Sequence, residues 1–393
     1  MIAVVRASMV PIVPAASSVR HGGWREGDPA GQRLFGRPFG DQPLILESGQ
    51  SLAPISLAWE RWGELNSGRS NAILLLHGFS GDSHAAGPAG VGHASAGWWD
   101  RLIGPGQALD SERFCLICPN VLGGCQGSTG PASPAADGRP YGSRFPLLSI
   151  RDMVAAERGL ADWLGIERWH AVIGGSMGGM RALEWAIGSP QRLERLLLIA
   201  TAASCSADNI AVHACQIQAI RQDPLFYGGD YYDQPGGGPR AGLALARALA
   251  QQTYVSATEM ERQLGAEGKE VEHGDNPKPP DPETAITALL QRQGQELVQR
   301  FDANSYIGLA RAMNRHDVGL GRGGVAAALA RIRAQVSVVS VSSDRLFPPG
   351  RQQELAAGIP GGASYTSLNS DLGHDGFLAE LDQLRSILDR VLG

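Results

Sequence analysis

A serine flanked by glycines lies at the junction between a predicted strand and a predicted helix. The pentapeptide GGSMG, residues 174–178, follows the short apolar run 171–173 and precedes the helix-like segment 180–185. A strand that turns directly into a helix strains the backbone at the turn, and side chains beside it would collide with the strand or the helix. The pattern therefore predicts that Ser176 projects above the edge of a sheet as a nucleophile.

Short apolar runs alternate with helical patterns over much of the chain. Runs rich in Ile, Val and Leu and bounded by turn residues predict buried strands at residues 72–76, 171–173, 196–199 and 336–341. Helical periodicity between them, opened by a capping-box pattern from Ser149 to Asp152, indicates connecting helices. This alternation predicts an α/β fold with a mostly parallel central sheet flanked by helices on both faces.

The alternation breaks in the middle of the chain. Residues 204–324 have a helical and irregular pattern with a charged, Pro-rich stretch at 265–283, which predicts an inserted helical cap. We therefore expect a discontinuous core made of residues 31–203 and 325–393.

Charge and composition exclude several classes of protein. The net charge is −5 without a stripe of Lys or Arg, so we expect no nucleic-acid partner. No apolar run approaches the roughly 18 residues of a membrane span, and the five cysteines lack the spacing of a disulfide framework. Residues 1–30 are expected to be a poorly ordered leader, because Arg6, Pro11 and Pro14 argue against a signal peptide. We expect a cytoplasmic protein.

An acid and a base should follow the serine in that order along the chain. Asp344 comes just after the last predicted strand, and His374 lies further on in a turn-rich segment. A serine hydroxyl becomes a good nucleophile when an imidazole takes its proton and a buried carboxylate orients that imidazole. Ser176, Asp344 and His374 are therefore the predicted catalytic triad. Asp371 and Asp375 remain rivals for the acid, although both lie very close to His374 in sequence.

The loop after the first predicted core strand is a candidate oxyanion hole. We predict that the backbone N–H groups of Phe79 and Met177 bind the oxyanion, and that His77 shapes the loop around Phe79.

Two other patterns resemble functional sites but are better explained otherwise. Cys115 and Cys118 form a lone CxxC inside a strand-like run, which favours buried strand cysteines over zinc or redox chemistry. His84 and His93 have no helical spacing to direct both imidazoles at one point, so no metal is predicted.

Several blocks of the sequence resemble the homoserine O-acetyltransferase family. The block IGGSMGGM at 173–180 is similar to the family's nucleophile turn, and NVLGGCQGSTGP at 120–131 is similar to its glycine-rich loop, which simple esterases lack. The resemblance runs from Leu57 to the C-terminus. Further blocks that resemble the family are residues 97–100, 142–146, 182–185, 300–306, 321–324, 342–348 and 373–377.

The resemblance implies an α/β-hydrolase fold and an acyltransferase of methionine biosynthesis. It implies acetyl-CoA as co-substrate with no permanently bound cofactor, L-homoserine as acceptor, and a ping-pong reaction through acyl-Ser176. It further implies that Arg247 in the cap and Asp375 bind the amino acid, since a guanidinium suits the α-carboxylate and a carboxylate suits the α-ammonium. A homodimer joined through the cap helices is also implied.

Three alternatives remain open from the sequence. A relative could use succinyl-CoA or acylate serine, because one methylene gives only ~1–3 kcal/mol of discrimination. The triad is equally compatible with a serine esterase. A ligand-binding protein without catalysis on the same fold is the third alternative.

Overall fold

The computed structural model describes residues 22–270 and 281–393 and contains an eight-stranded central sheet. Its strands are β1 (Leu34–Gly36), β2 (Leu57–Trp62), β3 (Ala72–Leu76), β4 (Cys115–Pro119), β5 (Trp169–Gly175), β6 (Leu193–Ile199), β7 (Gln335–Val341) and β8 (Ala363–Leu368). Their spatial order is β1-β2-β4-β3-β5-β6-β7-β8. The pairs β1–β2 and β2–β4 are antiparallel and the other neighbours are parallel, which confirms the predicted mostly parallel sheet.

Alternate side chains of the central strands face two different layers of the core. In β6, Leu196 and Leu198 belong to one hydrophobic cluster, whereas Leu197 and Ile199 belong to the other. All four are fully buried. Because successive side chains of a strand point to opposite faces, both faces of the sheet are covered, and the strand reads as a continuous apolar run.

Helices cover the sheet and build the insertion. Within the described residues they are α1 (Ile150–Trp163), α2 (Met177–Gly188), α3 (Ala207–Arg221), α4 (Arg240–Tyr254), α5 (Ala257–Glu270), α6 (Pro282–Arg300), α7 (Ala303–Asn314), α8 (Val325–Leu329), α9 (Pro349–Ala357), α10 (Gly376–Ala379) and α11 (Leu381–Leu392). The predicted capping box opens α1, since the Ser149 side chain accepts the Asp152 amide and the Asp152 side chain accepts the Ser149 amide. No helix in the described ranges is long and apolar enough to cross a membrane.

The chain leaves the sheet at the end of β6 and returns to it at β7. Helices α3 to α7 occupy the intervening segment and pack largely on one another, α4 against α3 and α6, and α6 against α5. These helices fall inside the predicted cap of residues 204–324, whose boundaries remain a prediction. Of the expected leader and the Pro-rich stretch, residues 1–21 and 271–280 lie outside the described residues. In residues 22–30, the described part of the expected leader, the backbone N–H of Trp24 donates to the carbonyl of Cys125 at 2.8 Å.

Candidate active site

Ser176 lies at the turn where β5 ends and α2 begins. Its φ of 57° and ψ of −125° are strained for a residue with a side chain. A Cβ atom at Gly174 would lie 2.2 Å from the carbonyl oxygen of Gly178, and one at Gly178 would lie 1.9 Å from that of Leu76. Only glycine fits at these two positions, and the turn therefore takes the form that the GGSMG pattern predicted.

The structure brings Ser176, His374 and Asp344 together. His374 Nε2 lies 2.9 Å from Ser176 Oγ, and His374 Nδ1 lies 2.7 Å from Asp344 Oδ2. All three residues are buried to at least 96%, since their exposed fractions are 4%, 4% and 3%. They meet because β5, β7 and β8 are parallel and their carboxyl ends share one edge of the sheet. Of the rival acids, Asp371 is exposed, and Asp375 directly follows the histidine.

Asp344 is fixed by both of its carboxylate oxygens. Oδ2 faces His374, while Oδ1 accepts the backbone N–H groups of Leu346 at 2.8 Å and Phe347 at 2.9 Å. Burial lowers the pKa of His374, but the charge and hydrogen bond of Asp344 outweigh burial and raise that pKa overall. Asp344 thus holds the proton on Nδ1 and leaves the Nε2 lone pair toward Ser176, as a general base requires.

The two predicted oxyanion donors flank Ser176. Met177 opens α2, so its backbone N–H has no acceptor within that helix. Phe79 is buried and lines the same cavity as Ser176. A Cβ atom at Gly78 would lie 3.7 Å from Ser176 Cβ, which shows how closely the loop approaches the nucleophile. The oxyanion-binding role of both amides stays a prediction.

His77 fixes the peptide unit that carries the Phe79 amide. Its Nε2 accepts the backbone N–H of Val121 at 3.2 Å, which places the proton on Nδ1. Nδ1 then donates to the carbonyl of Gly78 at 2.8 Å. Burial, assisted by the charge of Arg181, lowers the pKa of His77 to about 3, so the ring stays neutral in this tautomer. This arrangement supports the predicted role of His77 in shaping the loop.

A cavity of about 200 Å³ opens over the nucleophile and is shared by the core and the cap. Ser176, His374, Phe79 and both predicted substrate-binding residues, Arg247 and Asp375, line it. Arg247 lies on cap helix α4, two turns before the end of that helix. Burial raises the pKa of Asp375 although the Arg247 guanidinium opposes that shift. The two residues therefore face one space, and their binding roles remain predictions.

Two further residues line this cavity and were not singled out from the sequence. Tyr254 ends α4, and the guanidinium of Arg247 lies 4.9 Å from its ring centroid. Arg300 ends α6 and donates to the carbonyl of Ser80 at 2.6 Å. Helical spacing offered a signal for Tyr254, because a residue seven positions after Arg247 lies on the same helix face. Arg300 begins the block 300–306 that resembled the family.

His84 and His93 meet in the structure, which corrects the expectation drawn from their loop. Their rings stack with centroids 3.7 Å apart and an interplanar angle of 10°. Buried Glu60 on β2 lies beside His84, with Oε2 2.8 Å from His84 Nδ1, whereas His93 Nε2 accepts the backbone N–H of Gln32 at 3.0 Å and lies 3.8 Å from Glu60 Oε1. One potential ligand atom from each of Glu60, His84 and His93 lies within 4.8 Å of the others, so the fold brings these side chains closer than their sequence spacing indicated. His84 and Glu60 therefore form a buried hydrogen-bonded pair, and the His93 ring stacks on His84.

The CxxC cysteines are buried strand residues, as predicted. Cys115 and Cys118 lie on β4 and are unpaired. Burial raises the pKa of the Cys115 thiol to about 11 and raises that of the Cys118 thiol well above its ordinary value, so neither is a thiolate near neutral pH.

Comparison with known proteins identifies the fold and the family of this chain. The family model described as alpha/beta hydrolase fold matches residues 71–381, so this is an α/β-hydrolase-fold protein. A curated homoserine O-acetyltransferase of Thermobifida fusca (strain YX) is 52% identical over 371 residues, which cover 94% of this chain and 96% of the relative. The chain belongs to the homoserine O-acetyltransferase family, and both the expected fold and the expected family are confirmed.

Two solved structures are similar to this chain to the same degree. Esterase E22 has a TM-score of 0.81 at 29% identity and covers 92% of this chain and 99% of its own. A homoserine O-acetyltransferase of Bacillus anthracis has a TM-score of 0.80 at 27% identity and covers 92% of this chain and 96% of its own. Similarity of fold therefore does not separate acyl transfer from ester hydrolysis.

Proposed function

We propose that the protein transfers an acetyl group from acetyl-CoA to the hydroxyl of L-homoserine through an acetyl-Ser176 intermediate. The observation that carries the proposal is the 2.9 Å contact between Ser176 Oγ and His374 Nε2 in a cavity that Arg247 and Asp375 also line. Homoserine O-acetyltransferase is the name of a relative 52% identical over nearly the whole chain. The reaction belongs to methionine biosynthesis.

In the first half-reaction Ser176 Oγ attacks the thioester carbonyl of acetyl-CoA while His374 Nε2 takes the hydroxyl proton. The N–H groups of Phe79 and Met177 bind the oxyanion of the tetrahedral intermediate. The C–S bond then breaks, and His374 returns the proton to the coenzyme A sulfur. The products are acetyl-Ser176 and coenzyme A, and His374 is again neutral.

In the second half-reaction the homoserine hydroxyl is the nucleophile. His374 Nε2 takes its proton as the hydroxyl oxygen attacks the acetyl-Ser176 carbonyl, and the same two amides bind the oxyanion. The bond to Ser176 Oγ breaks, His374 reprotonates that oxygen, and O-acetylhomoserine leaves. Arg247 would bind the α-carboxylate and Asp375 the α-ammonium, which orients the hydroxyl toward the acyl-enzyme.

The identity of donor and acceptor is tested by one matrix of assays. Purified protein is given acetyl-CoA or succinyl-CoA with homoserine, serine or water, and coenzyme A release and products are followed by mass spectrometry. We expect O-acetylhomoserine as the main product, and an acetyl group on the peptide that contains Ser176 when no acceptor is present. Ser176→Ala should abolish both. Near-normal turnover of that variant, or a preference for succinyl-CoA or serine, would contradict the proposal.

Hydrolysis is the second candidate function, because esterase E22 shares this fold over 92% of the chain. Water and homoserine compete for one acyl-enzyme, so the product decides between them. Free acetate without acylated amino acid would identify an esterase. Failure of Ser176 to react with a fluorophosphonate probe would instead favour a ligand-binding protein without catalysis. A cytoplasmic location and a homodimer through the cap helices stay predictions, and light scattering tests the dimer.

A further inference from the structure

A fully buried arginine connects the two elements that carry the candidate oxyanion donors. Arg181 is on α2, five residues after the nucleophile, and its side chain is 0% exposed. Its Nη2 donates to the backbone carbonyl of His77 at 2.6 Å. Arg181 thus links the helix that begins with Met177 to the loop that carries Phe79.

Glu157 holds the guanidinium in place. One carboxylate oxygen of Glu157 accepts Arg181 Nη1 at 2.7 Å, and the other accepts the indole N–H of Trp185 at 2.8 Å. Glu157 lies on α1 and is 3% exposed. An ion pair this deep is a costly way to gain stability, because desolvation of both charges offsets most of their attraction. A positional role explains the pair better than stability does.

The hydrogen bond from Arg181 to the His77 carbonyl lies at the start of the loop that carries Phe79. The His77 ring donates to the Gly78 carbonyl, and the Gly81 amide donates to the same oxygen at 3.1 Å. Because a trans peptide unit is planar, fixing the Gly78 carbonyl also fixes the direction of the Phe79 N–H. Burial, and after it the charge of Arg181, keeps the His77 ring neutral, which lets His77 Nε2 accept the Val121 amide while Nδ1 donates to Gly78.

We propose that Arg181, held by Glu157, is the positioning residue that sets the Phe79 amide at its distance from the Met177 amide, so that both donors reach one oxyanion. This inference rests on the proposed function of the site. Loss of an oxyanion donor costs about 10²- to 10³-fold in kcat. Misplacement of one donor should cost less, about 10- to 100-fold.

The test is the double variant Arg181→Met with Glu157→Gln, which leaves no unpaired buried carboxylate and keeps an acceptor for Trp185. We expect kcat to fall about 10- to 100-fold while KM for acetyl-CoA changes less than about threefold. Binding of a methylboronic acid, whose serine adduct places an oxygen in the oxyanion hole, should weaken by the same factor as kcat/KM. If Arg181 had a purely structural role, the affinity for the methylboronic acid would not change. Arg181→Lys should retain part of the activity.

The matched control is Arg322→Met. Arg322 pairs with Glu184 on the same helix α2 at 2.7 Å, and Arg151 still contacts that carboxylate at 3.2 Å when Arg322 is lost. Arg322 has no hydrogen bond to the oxyanion loop among those of the described chain. We expect its kcat and boronate affinity within about twofold of the parent protein.

Acylation by p-nitrophenyl acetate separates this inference from the proposed function. If the parent protein releases nitrophenol through Ser176 but transfers no acetyl group to homoserine, the proposed function fails and the inference is measured with the ester. If the folded double variant, or Arg181→Gln when the double variant does not fold, retains the parent kcat and boronate affinity within threefold, Arg181 is not the positioning residue. If neither acetyl-CoA nor the ester acylated Ser176, both the proposed function and the proposed role of Arg181 would be contradicted.

Discussion

The two carboxylate oxygens of Asp344 have different partners, the backbone amides of Leu346 and Phe347 on one side and His374 on the other. Replacing Asp344 by Asn changes one of these two oxygens to nitrogen. In Asp344→Asn the remaining oxygen can still accept the amides of Leu346 and Phe347. The new amide nitrogen cannot accept the Nδ1 proton of His374, so the imidazole presents N–H and not a lone pair to Ser176. We expect kcat to fall about 10⁴-fold with a change in Tm of only a few degrees, measured by coenzyme A release and calorimetry.

The control for this prediction is Asp371→Asn, which changes the exposed rival carboxylate beside the same turn. Its kcat should stay within about twofold of the parent value. A loss of less than tenfold in Asp344→Asn would show that Asp344 is not the acid of the triad.

The pH dependence of acylation follows from the same pair. His374 must be neutral to accept the Ser176 proton, and Asp344 raises the pKa of His374 overall against the effect of burial. Activity should therefore be full above this raised pKa and be lost as pH falls through it, with a midpoint above the ordinary imidazole value. In Asp344→Asn the midpoint of the residual activity should move to lower pH. A profile of kcat/KM from pH 5 to 9 tests this shift, and an unchanged midpoint would contradict it.

Residues whose order the fold dictates could be predicted, and residues brought together by loops could not. Ser176, Asp344 and His374 each follow a strand, and the order of serine, acid and base along the chain selected them. The stacking of His84 on His93 is accompanied by contacts to distant residues, Glu60 for His84 and Gln32 for His93, which gave no local signal. Sequence spacing alone therefore missed that group.

Among the elements, buried strands were predictable and edge strands were not. β3 (Ala72–Leu76) is an unbroken apolar run that is buried throughout, and its predicted bounds agree with the structure. β8 (Ala363–Leu368) lies at the sheet edge, and its sequence ASYTSL is mostly polar and only partly buried. An edge strand needs no apolar pattern on its exposed side, so its pairing with β7 could not be deduced from the sequence.

The packing of α2 on β3 depends on a glycine. A Cβ atom at Gly178 would lie 1.9 Å from the Leu76 carbonyl oxygen, so Gly178→Ala must displace the start of α2 from the strand. We expect a loss of about 3 kcal/mol in the free energy of unfolding, at the upper end of the range for overpacked cores, and a large loss of turnover because Ser176 and Met177 move with the helix. Urea unfolding and coenzyme A release measure the two effects.

Gly308→Ala is the matched control, because Gly308 lies inside α7 and a Cβ atom there would have no neighbour within 4 Å. Alanine is the better helix former, so this variant should gain about 0.5–1 kcal/mol of stability. If Gly178→Ala were as stable as Gly308→Ala, the close approach of α2 to β3 would not be as tight as described.

At the scale of the whole molecule, the candidate catalytic residues lie on the sheet-bearing part of the chain, and the helices inserted between β6 and β7 form one wall of the cavity. Ser176, Asp344 and His374 all come from core loops, whereas Arg247 and Tyr254 come from α4 in the insertion. Helices between β6 and β7 could be predicted from the break in strand and helix alternation. The face of α4 that lines the cavity could not be predicted, because it depends on how several helices pack together and not on a local sequence pattern.

This division of labour predicts that loss of Arg247 affects one half-reaction and leaves the other intact. In Arg247→Met the α-carboxylate of homoserine loses a charge-assisted hydrogen bond, which is worth about 1.5–3 kcal/mol. We expect KM for homoserine to rise about 10- to 100-fold. The burst of coenzyme A that accompanies formation of acetyl-Ser176 should change less than threefold, because the triad and the oxyanion amides lie on core elements. Rapid-quench and steady-state assays on one preparation measure both quantities.

The control for this prediction is Arg262→Met, which removes a guanidinium of the inserted helices whose side chain is 69% exposed. It should leave both the burst and the KM for homoserine unchanged. If Arg247→Met slowed the burst as much as it raised KM, Arg247 would act on the acyl donor and not on the amino acid.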